Sequence, residues 1–461
     1  MLGQVTADSV LREACPVQIG RQRPRGGLLG QLPELSRDPL GLLSRSTRDY
    51  GDFVRLRFGL ARVVLLGHPD LVEEVLVRRS HNFRKHVDMR RLRTALGNGL
   101  LVSEGSTWLH QRRLMQPAFH RRRIDSMASA MVSTVSNAIR DWQAGETRDV
   151  YAEMTNITLK IAARTLLGID IGEDVEVIRR SSLVMTAHLR SRLFSLMMLV
   201  PDNVPTPGNL RYAAAIRNLD ALVYRVINQR RAAPAPAGCA DLLGMLLGAH
   251  DETGRPITDR QVRDEIFTMI SASYDTTALA LTWAWVLLAR NPAARLSLHD
   301  EIDSVLNGRE PTAADAPKLT YVEHVVAETL RLYPSAWAIG REAVRDTHIG
   351  GQRVRKGTTV LFSPWVLHRD RRFFDDPDAF RPERWTDAPL KGLHRFAYVP
   401  YGAGQRTCLG SPFARLELTL ALATIAQRFR LDLADPTERI EVVPVLTLQP
   451  RGSVRMMLTR A

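Results

Sequence analysis

The chain is 461 residues long, with 45% apolar and 24% charged residues, a balance that excludes a disordered, collagenous or fibrous protein and permits a few average domains or one large layered fold. Net charge is +14, from 63 Lys+Arg against 49 Asp+Glu. Only five of these residues are lysines (Lys85, Lys160, Lys318, Lys356, Lys391), an arginine bias of the kind GC-rich coding produces, and no RNA-type aromatic motif or Cys/His finger accompanies it, which argues against nucleic-acid binding.

Three cysteines, Cys15, Cys239 and Cys408, are odd in number and far apart. They offer neither a disulfide framework nor a CxxC zinc site, so a reducing, cytoplasmic setting is expected. The first 27 residues carry acids, amides and prolines where a signal peptide or membrane anchor needs an apolar run. Residues 1–24 read as a lead-in and 25–461 as a single domain.

A Pro/Gly-rich stretch from Pro24 to Pro39 precedes a period-two segment, Phe53 to Phe58, and an apolar one, Val63 to Leu66, which predict a hairpin. Pro69-Asp70 opens a helix, Leu71 to Val77. Residues 105–330 are mostly helical, with breaks at Gly145-Glu146, Val200 to Gly208 and Ala232 to Gly238. The longest helix runs from Asp259 to Arg290, spans about 45 Å, and is apolar or small on nearly every side in its middle, so it should cross the interior. Thr320 with Glu323 predicts a capping box opening a helix that stops at Tyr333-Pro334. Short β elements follow, His348 to Val354 and Thr358 to Phe362, around a Gly350-Gly351 turn. An irregular stretch fills residues 363–400, and a last helix, Phe413 to Phe429, comes after Cys408. The fold class is mainly α with a small β part.

Cys408 lies in Pro400-Tyr-Gly-Ala-Gly-Gln-Arg-Thr-Cys-Leu-Gly410. Glycines let a backbone approach something flat, and a thiol at a helix entrance is favoured as thiolate by the helix dipole. An isolated cysteine is more often a buried structural residue; these surroundings reverse that reading. Gly402-Ala-Gly404 also begins a dinucleotide-type G-x-G, but position 407 is Thr and no strand precedes it. Glu328 and Arg331 share one helix face among valines and leucines, so the pair should be buried and need a further partner, which Arg384 can supply.

Together these segments resemble the cytochrome P-450 family of haem-thiolate monooxygenases. Gly404, Arg406, Cys408 and Gly410 match its F-x-x-G-x-R-x-C-x-G signature, with Tyr401 where phenylalanine is usual. Glu328-x-x-Arg331 and Arg384 match its Glu-Arg-Arg network. Trp108 to Arg112 is similar to its W-x-x-x-R motif, and Ala272-Ser-Tyr-Asp-Thr-Thr277 to its A/G-G-x-D/E-T-T motif.

The resemblance implies a P-450 fold, a helical body with a long central helix and small β-sheets. It implies haem b with Cys408 as the axial ligand to iron and O2 as co-substrate. Arg112, Arg406, Arg341, Trp108 and Lys85 become donors to the haem propionates, and Tyr401 and Ala272 also border the cofactor. Asp275 and Thr276 become the acid–alcohol pair that relays protons for dioxygen cleavage. Thr277 is the plainer case of a buried helical threonine. Ser273 departs from the family's glycine. Thr276 should bond the Ala272 carbonyl and bend the helix. The substrate is expected to be an apolar small molecule, such as a terpene, fatty acid or macrolactone precursor. Its pocket should be formed by His86 to Leu100, the central helix near Ser271, and the turn carrying Ala336, Trp337 and Ala338, with the loop Pro201 to Pro207 flexing on entry. The chain ends 53 residues after Cys408, too short for a fused reductase, so the expected enzyme is a monomer served by a separate ferredoxin or flavodoxin. A haem-thiolate isomerase, a peroxide-driven oxidase or a haem-based gas sensor are the rivals, and none of them requires Asp275-Thr276.

Overall fold

One helix of 32 residues, Asp259–Arg290, organises the molecule. Thr258 caps it by accepting from the Gln261 N–H at 3.3 Å, and Asn291-Pro292 ends it. Its second half is buried all round, with Trp283 and Trp285 among the largest side chains wholly removed from solvent. The helices Val150–Leu166, Thr320–Leu332 and Ser411–Ala426 pack around it and share its hydrophobic core. The computed structural model describes residues 15–20, 24, 27–87, 89, 92–172, 174–194, 204–233, 241–251, 254–386 and 392–461. Residues 201–203 of the expected hinge loop, residues 234–238 of the Ala/Pro break and Cys239 lie outside them.

The predicted hairpin forms, with Phe53↔Leu66 and Phe58↔Ala61 in register. It grows into a five-stranded sheet whose further strands are Thr359–Phe362, Ile339–Ala343 and Phe83–Lys85. The pairing of the last two sets Lys85 directly opposite Arg341. The Gly350-Gly351 turn, with φ of +53° and +74°, joins Thr347–Ile349 to Gln352–Val354, whereas Thr359–Phe362 leaves that hairpin for the larger sheet. The helix at Pro69 spans Pro69–Glu73 and continues as a π-helical turn, Glu74–Arg78. The last helix is Ser411–Ala426, and Phe429 belongs to a strand, Phe429–Leu433, that pairs with Arg455–Arg460. A further hairpin, Val442–Pro444 with Leu448–Pro450, follows; its three-residue, proline-ended strands are too short for the alternation that marks Phe53–Phe58.

The capping box at Thr320 is absent. Thr320 is the first helical residue, and the cap comes from the preceding helix, Pro292–Leu306. There Glu301 accepts from the Thr320 hydroxyl at 2.9 Å and from the N–H groups of Tyr321 and Val322 at 2.7 and 3.0 Å. Glu323 turns outward to Arg415 at 3.1 Å.

Glu328 and Arg331 are wholly buried and joined by two bonds of 2.8 Å. Arg384 donates to the same carboxylate at 2.8 Å and the Trp385 indole at 2.9 Å. Arg331 spends its other protons on the carbonyls of His368, Pro377 and Ala379. This network nails the segment from His368 to Trp385 to the helix core. Glu328→Ala leaves two guanidinium groups without their carboxylate, so denaturant unfolding should show a loss of about 3–5 kcal/mol.

Candidate active site

Cys408 follows a glycine turn whose geometry only glycine allows. Gly404 has φ +71°, and a Cβ there would lie 2.2 Å from the Leu76 carbonyl oxygen. Gly402, at φ +66°, meets nothing nearer than the Ile339 Cδ1 at 4.0 Å, so it leaves an open floor on the cavity side. The Cys408 N–H donates to the Tyr401 carbonyl at 2.9 Å, and the helix begins three residues later at Ser411. The thiol opens onto an internal cavity. Burial pushes its pKa up, more than bonds from the Gly410 and Ser411 N–H groups and the charge of Arg112 pull it down. The helix entrance alone therefore does not make the thiolate expected from sequence; a bound metal cation would.

The cavity measures about 1110 Å³ and is bordered by Cys408, Tyr401, Trp108, Arg112, Lys85, Arg341, Arg406, Ser271, Ala272, Asp275, Thr276, Ala336 and Ala338. Four cations thus gather at one boundary. Arg112 donates to the Thr407 carbonyl at 2.8 Å, and Arg341 to that of Gly340 at 3.0 Å. The Lys85 Nζ donates to the carbonyls of Leu100 and Ser103 at 2.7 and 3.1 Å. Arg406 pairs with Glu104 and lies 3.9 Å over the Trp108 ring. Burial first and the charge of Arg406 second push Lys85 down to about 7 and Arg341 down to about 10. Beside them Glu265, buried and bonded to the Leu100 N–H, is pushed up to about 8 by burial.

On the central helix the Thr276 hydroxyl donates to the Ala272 carbonyl at 3.0 Å, while Ser335 donates to the Thr276 carbonyl at 2.9 Å. The segment stays α-helical throughout, so the expected bend reduces to carbonyls that also receive hydroxyls. Ser273 turns its hydroxyl back to Ile270 at 3.1 Å, and Thr277 bonds Ser273 as a buried helical threonine does. Asp275 accepts from the Thr447 hydroxyl at 2.9 Å, and Tyr151 borders the same part of the cavity with its hydroxyl acting on the carboxylate. Burial pushes its carboxyl up while both hydroxyls pull it down. Trp337 does not border the cavity: it packs with Leu43, Val54 and Leu65, and its indole donates to the Val445 carbonyl at 3.0 Å. Its large apolar surface is satisfied in the core, which corrects the sequence reading. Met89, Leu92, Leu96 and Leu100 supply the expected lining from the first pocket segment.

A family model for cytochrome P-450 matches residues 21–455. This chain belongs to the cytochrome P-450 family. It is 37% identical to cyclooctatin synthase of Streptomyces melanosporofaciens over 93% of each chain. It is 38% identical to cyclooctat-9-en-7-ol 5-monooxygenase of the same organism, over 88% of this chain and 87% of the relative. It is 33% identical to pentalenene oxygenase of Streptomyces avermitilis, over 94% and 95%. The protein is a P-450 monooxygenase that uses a haem-iron cofactor, dioxygen, a small-molecule substrate and redox partners. Among the described residues no helix is long and apolar enough to cross a membrane.

The residues present fit that cofactor. Cations mostly bonded to carbonyl oxygens, all four with proton affinity lowered by burial, suit two carboxylates; the side-chain-free floor at Gly402 suits a flat ring; Cys408 suits iron. Motif reading missed Glu104, Glu265, Tyr151, Thr447 and Glu417. Glu417 is buried with both oxygens lacking a hydrogen-bond partner among the described residues, because the adjacent Thr277 hydroxyl spends its proton on Ser273. Burial pushes its carboxyl well up. An acid inside so apolar a helix was the available signal.

Carboxylates placed at Lys85 would raise its pKa from about 7. Cofactor binding above that pH therefore takes up a proton and weakens as pH rises, by at most about tenfold per unit. Haem transfer to an excess of a haem-scavenging protein should accelerate accordingly in the wild type. Lys85→Arg, charged at every pH, should lose that dependence, and Lys85→Met should release haem faster throughout.

Proposed function

We propose that this enzyme oxygenates a terpenoid. It does so as a cytoplasmic protein in which residues 25–461 act as one domain, with haem b ligated by Cys408 and electrons from a ferredoxin or flavodoxin. The observation that carries the reading is one cavity bordered both by Cys408 with its cations and by Asp275-Thr276 of the central helix. Its volume of about 1110 Å³ exceeds the upper range of ordinary ligand pockets, as a site for a prosthetic group plus a multi-ring substrate requires. Similarity to two cyclooctatin enzymes and pentalenene oxygenase supports the terpenoid class over fatty acids and macrolactones.

Bound haem supplies the iron chemistry that puts one atom of dioxygen into a C–H bond and releases the other as water, for two electrons and two protons. The chain supplies everything else. Lys85, Arg112, Arg341 and Arg406 hold the propionates, and Trp108 stacks under Arg406 and keeps it turned inward. Leu92, Leu96, Leu100, Ala336 and Ala338 exclude water and hold an apolar skeleton by the area they cover. Thr276, anchored on the Ala272 carbonyl, presents its hydroxyl to the cavity and passes on a proton that Asp275 replaces. The acid–alcohol pair favours oxygenation over the isomerase, peroxide-driven and gas-sensing alternatives.

Polycyclic terpene hydrocarbons and their monohydroxylated forms should drive the haem from low to high spin, whereas fatty acids and hydrophilic compounds should not. The reverse preference in a ligand screen overturns the substrate class. Thr276→Ala should keep that spin shift and the thiolate-type carbon monoxide band while product formed per electron falls by up to about 10²-fold. Unchanged coupling would remove Thr276 from the relay.

A further inference from the structure

We propose that Tyr151 and Thr447 form a neutral hydroxyl clasp that positions Asp275 for proton transfer, and that the polar branch of the cavity beside them is the route by which protons from water reach it. This rests on the Asp275–Thr276 relay proposed above.

The clasp is built from three separated elements. Tyr151 stands in the first turn of the helix Val150–Leu166, where Asp149 caps the chain by accepting from the Tyr151 and Ala152 N–H groups at 3.2 and 3.4 Å. Thr447 occupies the turn of the Val442–Pro450 hairpin. Four bonds fix that turn: Val445 N–H to the Thr447 carbonyl at 3.0 Å, Leu448 N–H to Ser335 at 3.3 Å, and the indoles of Trp283 and Trp337 to Leu448 and Val445, each at 3.0 Å. The Thr447 hydroxyl donates to Asp275 at 2.9 Å and accepts weakly from the Gln449 amide at 3.4 Å.

No basic side chain among the described residues pairs with Asp275. Arg179 borders the same cavity but binds Glu176 through two bonds of 2.8 Å. The titratable groups around Asp275 are Tyr151 from the neighbouring helix and Tyr274 from its own, whose hydroxyl donates to Ser182 at 2.6 Å; Asp149 acts on Tyr151. A cation would hold the carboxylate ionised. Two hydroxyls do not: each can donate to the ionised acid and offers lone pairs to the protonated one. Asp275 can thus give its proton towards Thr276 and take another through the Thr447 or Tyr151 hydroxyl without leaving its place. Asp149, Arg179, Ser182 and Gln449 border the same cavity, and the Arg179 side chain is 39% exposed, which gives the proposed route polar groups between Asp275 and a side chain that meets solvent.

Both hydroxyl bonds favour the ionised acid, so losing one should raise the Asp275 titration midpoint by about one pH unit or more. The midpoint is read from the infrared band of the protonated carboxyl, assigned by its loss in Asp275→Asn. Tyr151→Phe and Thr447→Val should each shift it upward, move the alkaline limb of the pH profile of coupled turnover the same way, and leave the substrate spin shift intact. Thr447→Ser, which keeps the hydroxyl, should retain the wild-type midpoint. Wild-type midpoints and pH profiles in both Tyr151→Phe and Thr447→Val overturn the clasp. If Asp275→Asn itself leaves turnover unchanged, the relay fails instead, whatever the clasp variants do.

Discussion

Inward-facing positive charge is the constraint on which this molecule turns. Strand pairing sets Lys85 opposite Arg341, and Arg406 and Arg112 close on the same boundary of an apolar cavity. Like charges facing each other across a sheet are unfavourable, and burial makes them more so. The chain lessens that cost with Glu104 and with backbone carbonyls, but Lys85 and Arg341 still surrender part of their proton affinity. A dianionic ligand relieves the strain in one step. Fold and cofactor would then not be independent: the five-stranded sheet sets Lys85 and Arg341 side by side, where the carboxylates of a bound cofactor would be favoured.

The Glu328 network solves the opposite problem. There charge is enclosed by protein alone, and one carboxylate accepts from two guanidiniums, an indole and the Arg381 N–H. Almost every donor is spoken for, so the cluster is rigid and needs no ligand. It holds a stretch with little regular structure at the edge of the Cys408 turn. One set of buried charges waits for a partner while the other carries its own.

What the sequence discloses follows the range of the forces concerned. The central helix could be read to its ends because Thr258, Asn291 and Pro292 act within a turn of the backbone. Cys408, Arg406 and Glu328 could be read because their chemistry is packed into a few adjacent residues. The cap of the Thr320 helix could not, since Glu301 acts on it from another helix. Lys85 and Arg341 are individually recognisable, but their opposition exists only in strand register. Trp337 looked like pocket lining because it follows Ser335-Ala336, yet alternate residues of an extended turn face opposite ways, and its own direction is the core. The strands Val442–Pro444 and Leu448–Pro450 are only three residues long and each ends in proline, so they leave no periodic signal and Thr447 was out of sight.

Three carboxyl groups in this interior show how partner chemistry assigns work to identical functional groups. Glu328 is paired with cations and serves as architecture. Glu417, against Thr277 with no donor directed at it, is driven by burial towards the neutral form. Asp275 lies between them, half-buried at the cavity wall with the Thr447 hydroxyl bonded to it and the Tyr151 hydroxyl acting on it, so burial and hydroxyls act on it in opposite directions. A carboxyl raised by burial but still drawn towards ionisation by hydroxyls is of the kind general acid–base chemistry uses. A relay at this position of the helix, as proposed, would depend less on the presence of an acid than on the neutrality of what surrounds it.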